Sequence, residues 1–140
     1  MKIMAVDYGD VRTGLAVCDR TEFLASPIGT IEERNMQFLA MKVAHMAEQY
    51  EVGEIVVGLP LNMNGSKGPR AEKCEAFVGL LSNFTELPVN MWDERSTTVS
   101  AHNILNETNV RGKKRKEVVD TVAATVILEA YLEYRRKNKQ

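Results

Sequence analysis

Apolar positions along the chain change their period several times, and each change marks an element. Ile3 to Val6 form a continuous apolar run that stops at Asp7, and 12–18 is a second run after the turn residues Tyr8, Gly9 and Asp10, so together they predict a hairpin. Ile28, Thr30 and Ile31 follow Pro27, whose missing N–H suits a strand start or an edge, and predict a third, antiparallel strand over 26–32. From Met36 the period lengthens. Met36, Leu39, Ala40, Val43, Ala47 and Tyr50 recur every three or four residues, the stripe of an amphipathic helix.

The segment 54–59 reads as a buried strand, and 62–69, with two Gly, one Pro and two Asn, as a loop. Cys74, Phe77, Val78 and Leu81 mark a second helix, and 88–92 a fifth strand. Ser96 or Thr97 can cap a short helix carrying Ala101, Ile104 and Leu105. A last helix over about 117–136 places Val119, Val122, Ala123, Val126, Ile127 and Ala130 toward the core. The order βββαβαβαα predicts an α/β fold, a mixed sheet covered by helices.

The chain has 140 residues, which predicts one domain over 1–140, and its 44% hydrophobic and 26% charged composition excludes disorder and a disulfide scaffold. No apolar run approaches the roughly 18 residues of a membrane span, so no membrane partner is expected. Cys18 and Cys74 lack metal-ligand spacing and read as small core residues in a reducing compartment, the cytoplasm. The seven Met read as fillers of core gaps. His45 and His102 stand singly, and no Gly-x-Ser-x-Gly, Walker loop or dinucleotide fingerprint supports a serine hydrolase, P-loop or Rossmann enzyme. Net charge is −1, so any electrostatic footprint for nucleic acid has to be local.

Three acids stand at positions the fold could unite: Asp7 ending strand one, Asp93 and Glu94 ending strand five, and Asp120 early in the last helix. Asp7 interrupts an apolar strand, where burial without a ligand or strong hydrogen bonds is costly. Asp93 or Glu94 could instead cap a helix, and Asp120 lies at the margin of its helix's core stripe. A few carboxylates suffice for Mg²⁺, which keeps waters and substrate phosphates in the rest of its shell. Lys67 and Arg70 are read as lying in the loop after strand four, and Arg111, Lys113, Lys114, Arg115 and Lys116 put five cations just before the last helix. Cations beside a carboxylate cluster suit a phosphate backbone brought to metal ions, although such a block also occurs as a solvated loop. The segment 7–14 fits either a phosphate-cradling hairpin or an ordinary hairpin turn with glycine at a positive φ.

In order, AVDYGDVRTGLAV, EIVVGLPLNMNGS, DERSTT and KKRKEVVDTVAATVILEAYL span nearly the whole chain. The set resembles the YqgF family, also called RuvX, of pre-16S ribosomal RNA nucleases that are also described as Holliday junction resolvases. The resemblance implies a ribonuclease-H-like fold, a five-stranded mixed sheet with helices on both faces, in a bacterial cytoplasm. It implies a hydrolase with Mg²⁺, or Mn²⁺, held by Asp7, Glu94 and Asp120, which are then both the metal ligands and the catalytic residues. The expected partner is nucleic acid, a ribosomal RNA precursor or branched DNA, with a homodimer allowed. Arg12, Lys67, Arg70 and Arg95 are candidates for holding phosphates, as are Arg111, Lys113, Lys114 and Lys116. One departure stands out: strand four ends in Gly58, Leu59 and Pro60, with no carboxylate where the better-known resolvases place one, so Glu94 has to supply that ligand. The rival readings are a non-catalytic nucleic-acid-binding module and an actin-like phosphotransferase. The phosphotransferase needs two domains of this type, and 140 residues supply one.

Overall fold

The computed structural model describes residues 1–96 and 112–138, with the backbone alone at 96 and 112–121. Strands β1 (Ile3–Asp7), β2 (Arg12–Cys18) and β3 (Ala25–Glu32) are followed by α1 (Met36–Gln49), β4 (Glu54–Leu59), α2 (Pro69–Leu81) and β5 (Val89–Asp93). A short 3-10 turn, Glu94–Ser96, and the long helix α3 (Gly112–Asn138) complete the described elements. The sheet order is β3-β2-β1-β4-β5, with β1 at its centre. β1 runs antiparallel to β2 and parallel to β4, and β4 runs parallel to β5, so the sheet is mixed. Pro27 sits on the edge strand β3, where no neighbour needs its N–H.

Alternation along the strands divides the core into two layers. Met4, Val6, Leu15, Val17, Ile55 and Val57 face α1 and α2, which contribute Leu39, Ala40, Val43, Cys74, Phe77 and Leu81. Ile3, Ala5, Ala16, Cys18 and Val56 face α3. Helices therefore cover both faces. Asp7 shares the parity of Ile3 and Ala5, which puts it on the α3 face at the end of the central strand.

Three expectations need correction. The buried stripe of α3 is Ala124, Ile127, Leu128, Tyr131 and Leu132, with Val122, Ala123 and Ala130 only half-buried. This helix is apolar on more than half its circumference, so the sequence offers two overlapping stripes, and contact with the sheet selects between them. α3 also begins at Gly112, so Lys113, Lys114, Arg115 and Lys116 belong to its first turns and not to a preceding loop. Lys and Arg are good helix formers, and their charge hid that propensity. Finally, the methionines are not all core fillers: Met4 is buried, whereas Met41, Met63 and Met91 are exposed. The expected short helix carrying Ala101, Ile104 and Leu105 lies outside the described residues, as does Arg111.

The far end of α3 is fixed by charge. Arg135 Nε donates to Glu22 Oε1 at 2.7 Å and Arg135 Nη1 lies 3.4 Å from Glu54 Oε1, with both carboxylates buried. Tyr131 donates its hydroxyl to Glu54, which also accepts from Asn90 Nδ2 at 3.1 Å. Arg136 Nη1 adds a bond of 3.2 Å to the Glu22 carbonyl. Breaking a buried pair by removing its cation is far costlier than losing a surface one. Arg135→Ala is therefore expected to lower unfolding free energy by about 2–4 kcal/mol, measured by urea titration. A loss within error would show that the two glutamates do not depend on it.

Candidate active site

Asp7 is the last residue of β1 and is paired in register with Gly14 of β2. On the other side, β4 follows β1 in parallel register through Val6 and Val57, which brings Gly58 alongside Asp7. Glu94 begins the 3-10 turn directly after β5, whose Trp92 and Asp93 pair with Gly58 and Leu59. The sheet thus delivers two acids from strands far apart in sequence to one edge.

The Asp7 and Glu94 carboxyl groups are hydrogen-bonded to each other. Burial raises the pKa of Glu94 above the usual carboxylate range, against the opposing pull of Arg70 and of the bond to Asp7, while Asp93 raises it further. A divalent cation bound between the two groups would offset the repulsion of their charged forms. The donors are hard oxygens, the set that Mg²⁺ and Mn²⁺ prefer. Among the described residues no group of three or more His, Cys, Asp or Glu forms a ready metal cage. The two carboxylates fit as part of a set.

Space for Glu94 comes from Gly58. A Cβ on Gly58 would lie 2.6 Å from Ile127 Cδ1 and 2.7 Å from Glu94 Cδ. Strand four lacks a carboxylate here because the acid from strand five occupies the volume that any side chain at position 58 would need. Sequence reading registered the missing acid; the signal for its physical reason is the Gly-Leu-Pro ending of an otherwise β-branched strand.

The candidate phosphate ligands are placed unequally. Arg70, in the first turn of α2, donates from Nη2 to the Tyr8 carbonyl at 2.9 Å, and its charge acts on Glu94. It is therefore next to the carboxyl pair. Arg95 lies against Asp93, Nη2 to Oδ2 at 2.6 Å and Nε to Oδ2 at 2.8 Å, and this pairing holds Asp93 below the usual range. Lys67 is paired with Glu75 at 2.7 Å. Arg12 opens β2 and is half-buried. The side chains of Lys113, Lys114, Lys116 and Asp120 are outside the description.

Residues that the sequence did not single out complete the floor. The Tyr8 ring packs on Phe77, centroids 5.2 Å apart, and Lys73 reaches Asp10 at 3.1 Å. The Cys74 thiol is pushed up to about 12, by burial first and then by Glu94, with Asp7 and Asp10 adding to the effect. A thiol so far from ionisation is a filler, not a nucleophile. Gly9 N donates to Thr13 Oγ1 at 3.2 Å, which ties the two ends of the turn together. Gly9 also lies outside the positive-φ region, so the turn reading holds without that conformation.

The family model described as "RuvX: Holliday junction resolvase" matches residues 1–134. A relative from Halothermothrix orenii named "Putative pre-16S rRNA nuclease" is 44% identical over 98% of each chain. A relative of the same name from Ruminiclostridium cellulolyticum is 38% identical over 100% of this chain and 99% of its own. Among solved structures, T. thermophilus RuvC in complex with a Holliday junction substrate superposes with TM-score 0.61 at 14% identity, covering 99% of this chain and 96% of that one. The fowlpox virus Holliday junction resolvase gives 0.58 at 14% identity, covering 96% and 99%. At such identities these structures establish the ribonuclease-H-like fold.

Gly58→Ala tests the close approach. The added Cβ has to displace Glu94 or Ile127, so stability should fall by about 1–3 kcal/mol, and any stabilisation by Mg²⁺ should shrink with it. Melting curves with and without the ion that match wild type would refute the crowding.

Proposed function

The chain belongs to the RuvX family and is a nuclease, and from that premise we propose that it hydrolyses phosphodiester bonds in structured nucleic acid, acting on the 5′ end of a pre-16S ribosomal RNA. The observation that carries the reading is the Asp7–Glu94 carboxyl pair held over Gly58 at the end of the central strand. Asp7 and Glu94 are the metal ligands and Asp120 completes the set. Mg²⁺, bound there, supplies an activated water and a counter-charge for the leaving oxygen. The chain's own part is to hold the carboxylates against their repulsion, with Arg70 stabilising Glu94 and fixing the Tyr8 carbonyl beside Asp7. Attack by water leaves a 5′-phosphate and a 3′-hydroxyl. We assign the reaction to a single domain over residues 1–140 acting in the cytoplasm. No described helix is long and apolar enough to cross a membrane. The site reading does not require a homodimer, which the fold allows.

Lys113, Lys114 and Lys116 occupy the first turns of α3, where the helix dipole and the lysine charges would both favour an anion. We assign them, with Arg111, to the phosphate backbone, and Arg12, Lys67, Arg70 and Arg95 to phosphates nearer the carboxyl pair. The description of the family model favours branched DNA as the second substrate.

The deciding experiment incubates the protein with a precursor ribosomal RNA fragment and with a four-way DNA junction, each with Mg²⁺ or chelator. Metal-dependent cutting of the RNA is expected, and cutting of the junction alone would move the substrate to DNA. Asp7→Asn should lower the rate at least about 100-fold while binding survives. A wild-type rate would remove Asp7 from the site.

Mg²⁺ at about 100 times its dissociation constant should stabilise the fold by about 2.7 kcal/mol, a shift that Asp7→Asn/Asp120→Ala abolishes. A full shift in that double variant would place the ion elsewhere. Replacing Lys113, Lys114 and Lys116 with Ala should reduce the log-affinity against log-salt slope on duplex DNA by about 2–3, with little change in the saturated rate. An unaltered slope would return these lysines to solvent.

A further inference from the structure

Asp93 and Arg95 stand on either side of Glu94 in the chain and are joined across it. Asp93 Oδ2 accepts from Arg95 Nη2 at 2.6 Å and from Nε at 2.8 Å, while Oδ1 accepts from Nε at 3.1 Å and from the Arg95 amide at 3.0 Å. One carboxylate therefore closes the 3-10 turn and clasps the guanidinium. From the other side, the loop that follows β4 offers the Met63 carbonyl, to which Nη1 donates at 3.4 Å. The Arg95 and Asp93 side chains are 36% and 39% exposed, and an ion pair so open to solvent adds little stability. What the clasp fixes is direction.

Neighbouring cations are held more loosely. Lys67 meets Glu75 and Lys73 meets Asp10 through one ammonium contact each, at 2.7 and 3.1 Å, on flexible stems. Arg95 instead carries five N–H donors in a rigid fork. Asp93 takes the donor on Nε and one on Nη2, and Met63 takes one on Nη1, so each terminal nitrogen keeps one N–H that no described residue accepts. Glu94 turns the other way, its carboxyl group lying over Gly58. Arg95 thus flanks the carboxyl pair, its Cα about 3.8 Å from that of Glu94. Arg70 already supplies the positive charge that acts on Glu94, which leaves Arg95 for a group outside the pair.

We propose that Asp93 is a positioning residue that holds Arg95 so that the two remaining N–H donors of its guanidinium receive a backbone phosphate flanking the bond being cut. The proposal rests on the nuclease reading above and adds to it the residue that orients one of its phosphate contacts. Two N–H groups of a planar fork match two phosphate oxygens. An isolated acid beside an anionic substrate would only repel it. Neutralised by Arg95 and used as its handle, Asp93 orders a long side chain before the substrate arrives and so removes the ordering cost that a mobile side chain carries at binding.

The test uses the full chain in chelator, so that nothing is cut, and reads affinity against salt for a four-way DNA junction and for an RNA stem with a single-stranded 5′ extension. Arg95→Ala should reduce the log-affinity against log-salt slope on the junction by about 0.9, the value of one phosphate contact. Asp93→Ala should weaken binding roughly 3- to 10-fold at the wild-type slope, because the Arg95 charge stays while its orientation is lost. An acid that merely repelled phosphate would, on removal, tighten binding instead. Arg95→Lys should match Asp93→Ala, and Asp93→Ala/Arg95→Ala should bind no more weakly than Arg95→Ala alone. Asp93→Asn keeps the acceptor for the Arg95 amide, and with it the turn, so Mg²⁺ should raise its melting temperature as in wild type while its binding falls. Unchanged or tighter binding in Asp93→Ala, an unchanged slope in Arg95→Ala, or a double variant that loses the sum of both single effects would overturn the positioning role and leave the nuclease reading intact. Loss of the Mg²⁺ shift in Asp93→Asn with wild-type binding would also overturn it, by making the clasp a support for Glu94 alone. Wild type that binds neither probe would overturn the nuclease reading and the positioning role with it.

Discussion

Two carboxyl groups in hydrogen-bond contact at a half-buried sheet edge repel one another once both are ionised, and the rest of the molecule is arranged to keep them together. β1 lies at the centre of the sheet, so Asp7 is anchored by strand pairing on both sides. Glu94 is carried on a turn that starts where β5 stops, in a space kept open by the absence of a side chain at Gly58. Arg70 supplies the nearby positive charge without entering the pair, since its hydrogen bond goes to the Tyr8 carbonyl.

The same constraint explains the asymmetry of the two sheet faces. α1 and α2 cover one face with ordinary apolar packing. Among the described residues α3 covers the other, and it is secured at its C-terminal half by Leu128, Tyr131 and Leu132 and by the Arg135 pairs to Glu22 and Glu54. Fixing that end leaves the basic N-terminal half directed toward the edge where Asp7 and Glu94 meet. The buried ion pairs that fix α3 belong to its C-terminal half.

Most of the fold was legible because the apolar period changes at every element, and the strand and helix bounds of β1, β2, α1 and β4 follow from it closely. The facing of α3 was not legible, since a helix apolar on most of its circumference does not declare which stripe meets the sheet. Its start was obscured because a basic block looks like a loop when read as charge and like a helix when read as propensity. Asp7 and Glu94 could be found as acids that interrupt or end strands, whereas the reason for Gly58 is a distance between side chains from different elements. Lys67 and Arg95 looked equivalent to Arg70 in the sequence; only three-dimensional placement shows that Glu75 and Asp93 hold the first two while Arg70 reaches the site. The exposure of Met63 was hidden by its residue type, which composition assigns to the core.

The packing of Ile127 over Gly58 and Glu94 has a bearing on the order in which the polypeptide is made. Asp7 leaves the ribosome early, Glu94 much later, and the helix that closes over them last of all. Until α3 has been synthesised and has docked, the layer formed by Ile3, Ala5, Ala16 and Val56 has no cover. A nascent chain that already contains both acids therefore lacks the surface that holds them in place. Contacts between the two ends of the sequence form late because closing long loops is entropically slow. The two acids of this nuclease are therefore brought under cover only after the last helix has been made.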